Sequence, residues 1–356
     1  MKLFEPFNLG NFRLKNKIVM APMTRSRAYN NIPTDDMATY YEQRASAGLI
    51  ITEGTSPSPN GLGYPRIPGA FSKSQIAGWE KTAKKVHDKN GLIFVQLMHC
   101  GRVSHKENLP TNEQIIAPSQ VQLEGEIYTD TKGLQPFDIP KEMTLQDIQE
   151  TQNAYANSAN LLVNKANIDG VELHGANGYL INQFLNPISN LRNDIYGGNY
   201  KNRARFLLET TVKTIEKIGE NRVGVRLSPY TVSNGMLGEH DEVIAMYQYL
   251  AQELAKLKIA YIHIADHSVL NHAPKFATDI SKTIKENFKG VVIVGGNVDT
   301  AKKGETLLDK GYDLVYIGRP FISNPTLVKK LESDAALTPP DYEKFYTPTI
   351  EGYIDY

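Results

Sequence analysis

Eight short apolar runs alternate with helix-patterned stretches along nearly the whole chain, and that alternation limits the folds open to it. The runs are NKIVMAPM (16–23), AGLIITEGT (47–55), GLIFVQLMH (91–99), IDGVELHGA (168–176), VGVRLSP (223–229), AYIHIAD (260–266), GVVIVGGNV (290–298) and YDLVYIGRP (312–320). Most are close to continuously apolar, the pattern of parallel strands covered on both faces. The stretches between them are amphipathic and carry helix-start signals, Ser72-x-x-Gln75 and Thr144-x-x-Asp147, which read as capping boxes or related N-caps. Eight strands, each followed by a helix, is the count of an α/β fold of the (β/α)8 TIM-barrel type. A doubly wound open sheet needs fewer strands and usually a Gly-rich first turn, whereas the first strand here runs into APMTRSRA. Residues 1–356 are therefore expected to form a single TIM-barrel domain, with no linker or low-complexity tract dividing the chain.

Three segments stand outside the repeat. Residues 3–15 alternate around Asn8-Leu9-Gly10-Asn11 and read as a β-hairpin capping the bottom of the barrel. Residues 100–142 form a long, polar, Pro-containing insertion after strand three. A loop beyond ~15 residues is usually functional, so this insertion is expected to serve as a lid. The tail, 334–356, carries Tyr342, Phe345, Tyr346, Tyr353 and Tyr356; disordered tails are poor in aromatics, so it is expected to pack on the barrel.

Composition excludes several classes of function. Lys+Arg and Asp+Glu each count 39, which leaves no basic excess to favour nucleic acid. The single cysteine, Cys100, cannot support an intrachain disulfide, an iron–sulfur cluster or a cysteine-based zinc site. No apolar run approaches the ~18 residues of a membrane span. No signal-peptide core precedes Pro6 and Gly10. These features lead to the expectation of a cytoplasmic protein with neither nucleic acid nor membrane as partner; they leave monomer or homodimer equally open.

In such a barrel, chemistry sits at the C-terminal ends of the strands. Strands seven and eight end in Gly295-Gly296-Asn297 and Gly318-Arg319. Taken singly these glycines need only turn the chain, but two such loops beside a guanidinium point to a phosphate-bearing ligand. His174 and Asn177 follow strand four, with Tyr179 beyond them. They suit two donors gripping an oxygen and a phenol placed as proton donor. On spacing alone, a core histidine followed by an Asn-Gly turn is the simpler account. Arg226 lies inside strand five, where a guanidinium must meet an anion. That anion is either a ligand or Glu172 on the neighbouring strand. His99, Cys100 and His105 lack a carboxylate at ligand spacing, so no metal site is expected. His263 and His267 flank Asp266 and read as structural. No G-x-S-x-G elbow supports serine hydrolysis.

HGANGYLINQFLNPISNLRNDIYGGNYKNRARFLLE (174–209) resembles the signature segment of the Old Yellow Enzyme family of flavin-dependent ene-reductases. NKIVMAPMTRSRA (16–28), QLMHCGRVSH (96–105), VGVRLSP (223–229), VGGNV (294–298), IGRPFISNP (317–325) and the closing EGYIDY (351–356) are similar to that family as well. The resemblance implies an oxidoreductase binding FMN non-covalently and reduced by NADPH or NADH. It then reduces an electron-poor alkene, an α,β-unsaturated carbonyl or nitroalkene, with nitro compounds and nitrate esters as further acceptors.

Residue by residue, the resemblance places Pro22, Met23, Thr24 and Gly54 along the flavin ring and Gln96 at its pyrimidine edge. It places Arg226 where negative charge gathers in the reduced flavin, and Gly295, Gly296, Asn297, Gly318 and Arg319 at the phosphate. His174 and Asn177 are implied to hold the acceptor's oxygen, and Tyr179 to deliver the proton. Tyr64 and Tyr346 are implied as walls of the substrate pocket. Two departures bear on the pocket and the branch. Met98 stands where many relatives carry Trp, which implies a reshaped pocket. Thr24 in place of Cys implies the branch lacking a cysteine near the flavin. The rival reading, a flavin-free phosphate-binding barrel acting as isomerase or aldolase, finds no lysine at a strand end to serve it.

Overall fold

The structure, a computed structural model, describes residues 1–268 and 273–356. Eight parallel strands close into a barrel. In chain order they are Ile18–Met20, Leu49–Ile51, Ile93–Leu97, Gly170–Gly175, Val223–Leu227, Tyr261–Ile264, Val292–Gly295 and Leu314–Ile317. Each pairs with the next, and strand eight closes on strand one through Val315↔Ile18, Tyr316↔Val19 and Ile317↔Met20. The (β/α)8 expectation is borne out.

Strand residues alternate between two environments. Outward-facing Met20, Ile50, Val95, Leu173, Val225 and Ile262 pack with helical Trp79, Tyr155, Phe206 and Leu250 in one large core. Inward-facing Val19, Leu49, Phe94, Tyr261, Ile293 and Leu314 fill the lower interior. Above them the inward positions turn polar, at Gln96, Glu172, His174, Arg226 and His263, all buried. A strand such as GVELHG therefore reads apolar on its outer face, while its inner face carries a carboxylate and an imidazole.

The helices begin where the sequence signals placed them. Ser72 accepts from the Gln75 amide, and the Gln75 side chain accepts in return from Ser72 N at 3.0 Å. Thr144 and Asp147 form the second capping box, opening the helix Leu145–Asn164. Such reciprocal caps satisfy donors that the first helical turn leaves free.

The hairpin expected at the N-terminus pairs Phe7–Leu9 with Phe12–Leu14, turning at Gly10, where φ is +54°. Leu9 and Leu14 are fully buried among the lower-interior residues, so the hairpin plugs that end. The insertion carries a second hairpin, Glu126–Thr129 with Gly133–Pro136. Its Ile127 and the following Phe137 pack on Leu62, Val103 and Leu123.

The tail packs on the barrel through Tyr353, stacked on Tyr40 with ring centroids 4.4 Å apart. Phe345 is buried as well, whereas Tyr342 and Tyr346 remain exposed. Two buried guanidinium groups fasten this segment. Arg25 Nε donates to Phe345 O at 3.1 Å and its Nη2 to Gly352 O at 2.8 Å. Arg27 Nη2 donates to Lys344 O at 2.9 Å and Nε to Thr349 O at 3.2 Å.

Leu14→Ala should leave a cavity in the plug and cost about 2–5 kcal/mol. Urea titration should show a lower midpoint at unchanged slope; an unchanged midpoint would mean that the hairpin contributes little to closing the barrel.

Candidate active site

Strand register brings the polar interior residues to one level. His174 lies opposite Arg226, and Arg226 opposite His263; on the other side Glu172 lies opposite Gln96. Gln96 Nε2 donates to Glu172 Oε1 at 2.7 Å, and His263 Nδ1 lies 2.9 Å from Glu172 Oε2. Both Glu172 oxygens are thus engaged without Arg226, whose Nε is buried with no hydrogen-bond partner among the described residues. The internal Arg226–Glu172 pair weighed from sequence is not how the carboxylate is held. His263, read as flanking Asp266, instead pairs with Glu172 across the barrel.

Electrostatics follow from this layout. Burial works to raise the Glu172 carboxyl, but His263, Arg226 and the Gln96 hydrogen bond outweigh it and hold the group below its usual range. Burial drives the His174 imidazole well below its ordinary pKa, with Arg226 and His263 adding to the effect. His174 is therefore neutral near pH 7, a donor that carries no charge of its own. Its Nδ1 is buried and unpartnered, like Arg226 Nε and His263 Nε2. Buried polar atoms without partners are uncommon in folded proteins and mark a place where a ligand completes the hydrogen bonding. That reading makes the upper barrel a ligand site.

A cavity of about 780 Å³ opens above this level. Thr24, Tyr64, Tyr179 and Tyr346 line it, together with Ile127 and Phe137 of the insertion and Thr347 of the tail. Tyr179 OH donates to Tyr64 OH at 3.2 Å, and the Tyr179 ring meets that of His174 edge-on at 4.9 Å. Burial, with Tyr64 and Cys100 nearby, raises the Tyr179 phenol well above its ordinary value. Asn177 sits at φ +58°, its backbone N–H donating to Ser228 Oγ at 2.8 Å and its side-chain Oδ1 lying 3.0 Å from His267 Nε2. Met98 is 2% exposed in the apolar cluster shared with Tyr64 and Tyr179. Its Sδ lies 2.5 Å from where a Cβ on Gly54 would stand. Met98 thus packs against Gly54, in the apolar cluster that Tyr64 and Tyr179 join.

Pro22 and Met23 are half-buried at the end of strand one, beside Thr24. The strand-seven and strand-eight loops are open. Gly296 and Asn297 are exposed, as is Arg319, whose guanidinium lies 5.6 Å from the Tyr342 ring centroid. A Cβ on Gly295 would stand 2.1 Å from the Tyr316 carbonyl oxygen, and Gly296 adopts φ +122°. Neither position admits a side chain without strain, so bare backbone faces that end of the barrel.

A model of the NADH:flavin oxidoreductase / NADH oxidase family matches residues 2–338. The chain belongs to this family. It is 36% identical over 358 residues to a putative 12-oxophytodienoate reductase 11 of Oryza sativa subsp. japonica, covering 99% of this chain and 96% of that one. It is 35% identical over 359 residues to a probable flavin mononucleotide-dependent alkene reductase of Leishmania infantum, with coverages of 99% and 96%. The fold matches solved morphinone reductase with a TM-score of 0.94 at 39% identity, over 99% of this chain and 95% of that one. It matches the old yellow enzyme homologue of Zymomonas mobilis with the same TM-score, 0.94, at 38% identity over 100% and 99% of the chains. Morphinone reductase has also been solved in complex with tetrahydroNAD. Membership of the Old Yellow Enzyme family, inferred from the motifs, is thereby borne out.

Sequence reasoning missed several contributors to this family's site as it is built here. Glu172 entered only as a counter-ion for Arg226, and His263 and His267 only as neighbours of Asp266. The alternation of strand four, which puts Glu172 and His174 on one face, was the available signal. Arg66 carried none. Its guanidinium pairs with Asp130 and donates from Nη2 to Tyr346 O at 3.1 Å, while Nε donates to Ser26 O at 2.9 Å, tying three separate segments around the cavity.

The neutral state of His174 is open to direct measurement. Its ring-nitrogen resonances should not titrate between about pH 5 and 8, whereas those of His87, hydrogen-bonded to Asp169, should titrate above the ordinary histidine value. A His174 signal titrating within that window would mean that the imidazole carries charge at the site.

Proposed function

We propose that this Old Yellow Enzyme family member is an FMN-dependent ene-reductase: NADPH or NADH reduces the flavin, which then reduces an activated alkene. The observation that carries the reading is the level of unpartnered buried atoms at His174, Arg226 and His263, set beneath a cavity walled by two hydrogen-bonded tyrosines. The donor set fits the cofactor. A buried guanidinium whose Nε lacks a partner suits an edge that becomes anionic, a carboxamide suits a pyrimidine edge, and bare glycine backbone beside Arg319 suits a phosphate. Pro22, Met23, Thr24, Gly54, Gln96 and Arg226 would hold the ring; Gly295, Gly296, Asn297, Gly318 and Arg319 would hold the phosphate. When bound, FMN supplies hydride chemistry, taking hydride from the nicotinamide and giving it to the alkene's β-carbon.

The chain's own residues do the rest. His174, neutral, donates an N–H to the acceptor's carbonyl or nitro oxygen, and Asn177 provides the second polar contact there. Such donors strengthen as charge grows on that oxygen, so they stabilise the transition state more than the ground state. The Tyr179 phenol, kept protonated by its buried setting, delivers its proton to the α-carbon as charge builds there. Tyr64, whose oxygen accepts the Tyr179 hydrogen bond, turns its own O–H to the phenolate that remains. Tyr64 and Tyr346 bound the substrate space, with Met98 packed in the apolar cluster that Tyr64 joins.

One domain suffices for this, because barrel, insertion and tail all contribute to the one cavity, the insertion acting as its lid. A single chain carries every residue given a role, which agrees with a monomer or a homodimer. The zero net charge argues against nucleic acid as partner. No helix among the described residues is long and apolar enough to cross a membrane. With Cys100 buried and unpaired, a cytoplasmic setting suits the chain. Thr24 agrees with the branch that lacks a flavin-proximal cysteine.

Heat-released supernatant of the purified protein should contain FMN, and the protein should oxidise NADPH or NADH with cyclohexenone as acceptor. FAD, or no flavin, would overturn the reading. Tyr179→Phe keeps the ring and removes one proton. Stopped-flow traces should then show intact flavin reduction, with reoxidation by cyclohexenone slowed by about 10²–10⁴. Equal losses in both half-reactions would assign Tyr179 a structural role.

A further inference from the structure

We propose that Glu172 is a positioning residue for the flavin: it fixes which end of the Gln96 carboxamide faces the cofactor edge, and it balances the charge of Arg226. The inference rests on the FMN reading above and adds a residue that touches neither cofactor nor substrate in that reading.

Glu172 is fully buried on the inner face of strand four, between Gln96 on strand three and the Arg226 strand. It receives Gln96 Nε2 at 2.7 Å on one oxygen and His263 Nδ1 at 2.9 Å on the other. An ionised carboxylate only accepts hydrogen bonds. Gln96 must therefore turn its NH₂ toward Glu172, which leaves its carbonyl oxygen for the ligand side. By the same rule His263 carries its proton on Nδ1, leaving Nε2 bare; that atom is buried and unpartnered. One carboxylate thus settles the orientation of an amide and the tautomer of an imidazole at the level where Arg226 and His174 present their own unpartnered nitrogens.

Glutamine at this position would change both features while keeping the shape. Its amide oxygen can accept from only one of the two donors, and its NH₂ would face the other donor head-on. Either Gln96 flips or His263 changes tautomer, so the hydrogen-bonding edge offered to the flavin is no longer single. The buried negative charge also disappears, leaving Arg226 less compensated. A more positive environment favours the reduced flavin, in which negative charge accumulates.

The test uses apoprotein and FMN itself. In Glu172→Gln, quenching of FMN fluorescence should report binding weaker by about tenfold or more, the worth of a hydrogen bond to a charged group. The flavin midpoint potential, by dye equilibration, should move to a more positive value. If Glu172 acts through Gln96, the double variant Glu172→Gln/Gln96→Ala should bind FMN no more weakly than Gln96→Ala alone. A lowered melting temperature with unchanged FMN affinity and potential would overturn the proposal, as would strictly additive losses in the double variant. Should Glu172→Gln not fold, Glu172→Asp carries the test. It keeps the charge but is one methylene too short to reach both donors, so FMN binding should again weaken about tenfold with the potential unmoved; affinity within about twofold of the parent would overturn the proposal. Failure of the parent protein itself to bind FMN would overturn the functional reading instead, which keeps the two failures distinct.

Discussion

A guanidinium inside a barrel strand, with its Nε lacking a partner, sets the terms for everything above it. Arg226 has no carboxylate to itself, since Glu172 gives both oxygens to Gln96 and His263. A buried guanidinium that makes no direct ion pair with its nearest carboxylate is costly to hold. The barrel holds it because an interior level of polar groups is supported from below by an apolar floor and from outside by a continuous core. The folded chain arrives at the reaction with its charges already placed, which is the arrangement that electrostatic stabilisation of developing charge requires. The same setting explains why His174 is neutral: burial disfavours its charged form, and the Arg226 cation nearby adds to that.

The barrel was legible because strands covered on both faces leave nearly unbroken apolar runs, and because Ser72 and Thr144 announce their helices locally. The hairpin plug was legible for the same reason, its alternation and Gly10 lying within a dozen residues. The site was legible at its strand-end motifs, where HGANGY and VGGNV concentrate polar residues and glycines. What could not be read were partnerships set by register and closure. His263 meets Glu172 and His267 meets Asn177 across about ninety residues of sequence, and nothing in either local segment names the partner. Asp266, adjacent in sequence, looked the better match and was the wrong one for His263. The fastening of the tail was hidden more deeply, because Arg25 and Arg27 bind mainly backbone carbonyls of residues 344–352. Carbonyls are the same in every residue and leave no trace in composition.

That fastening connects the fold to the choice of substrate. Arg25 and Arg27 follow directly on Thr24 at the end of strand one, so the loop that lines the cavity floor also anchors the segment that forms one wall. Arg66 then ties the strand-one loop, the insertion and Tyr346 together. The polar groups of the upper barrel sit on strands, while the cavity's outline is drawn largely by loops. Strand ends fix reacting groups well, and loops vary without disturbing the core. Met98, packed with Tyr64 and Tyr179 in one apolar cluster, works in the same direction. An unbranched thioether can settle into more than one packing against Gly54, whereas His174 is held by the strand that carries it.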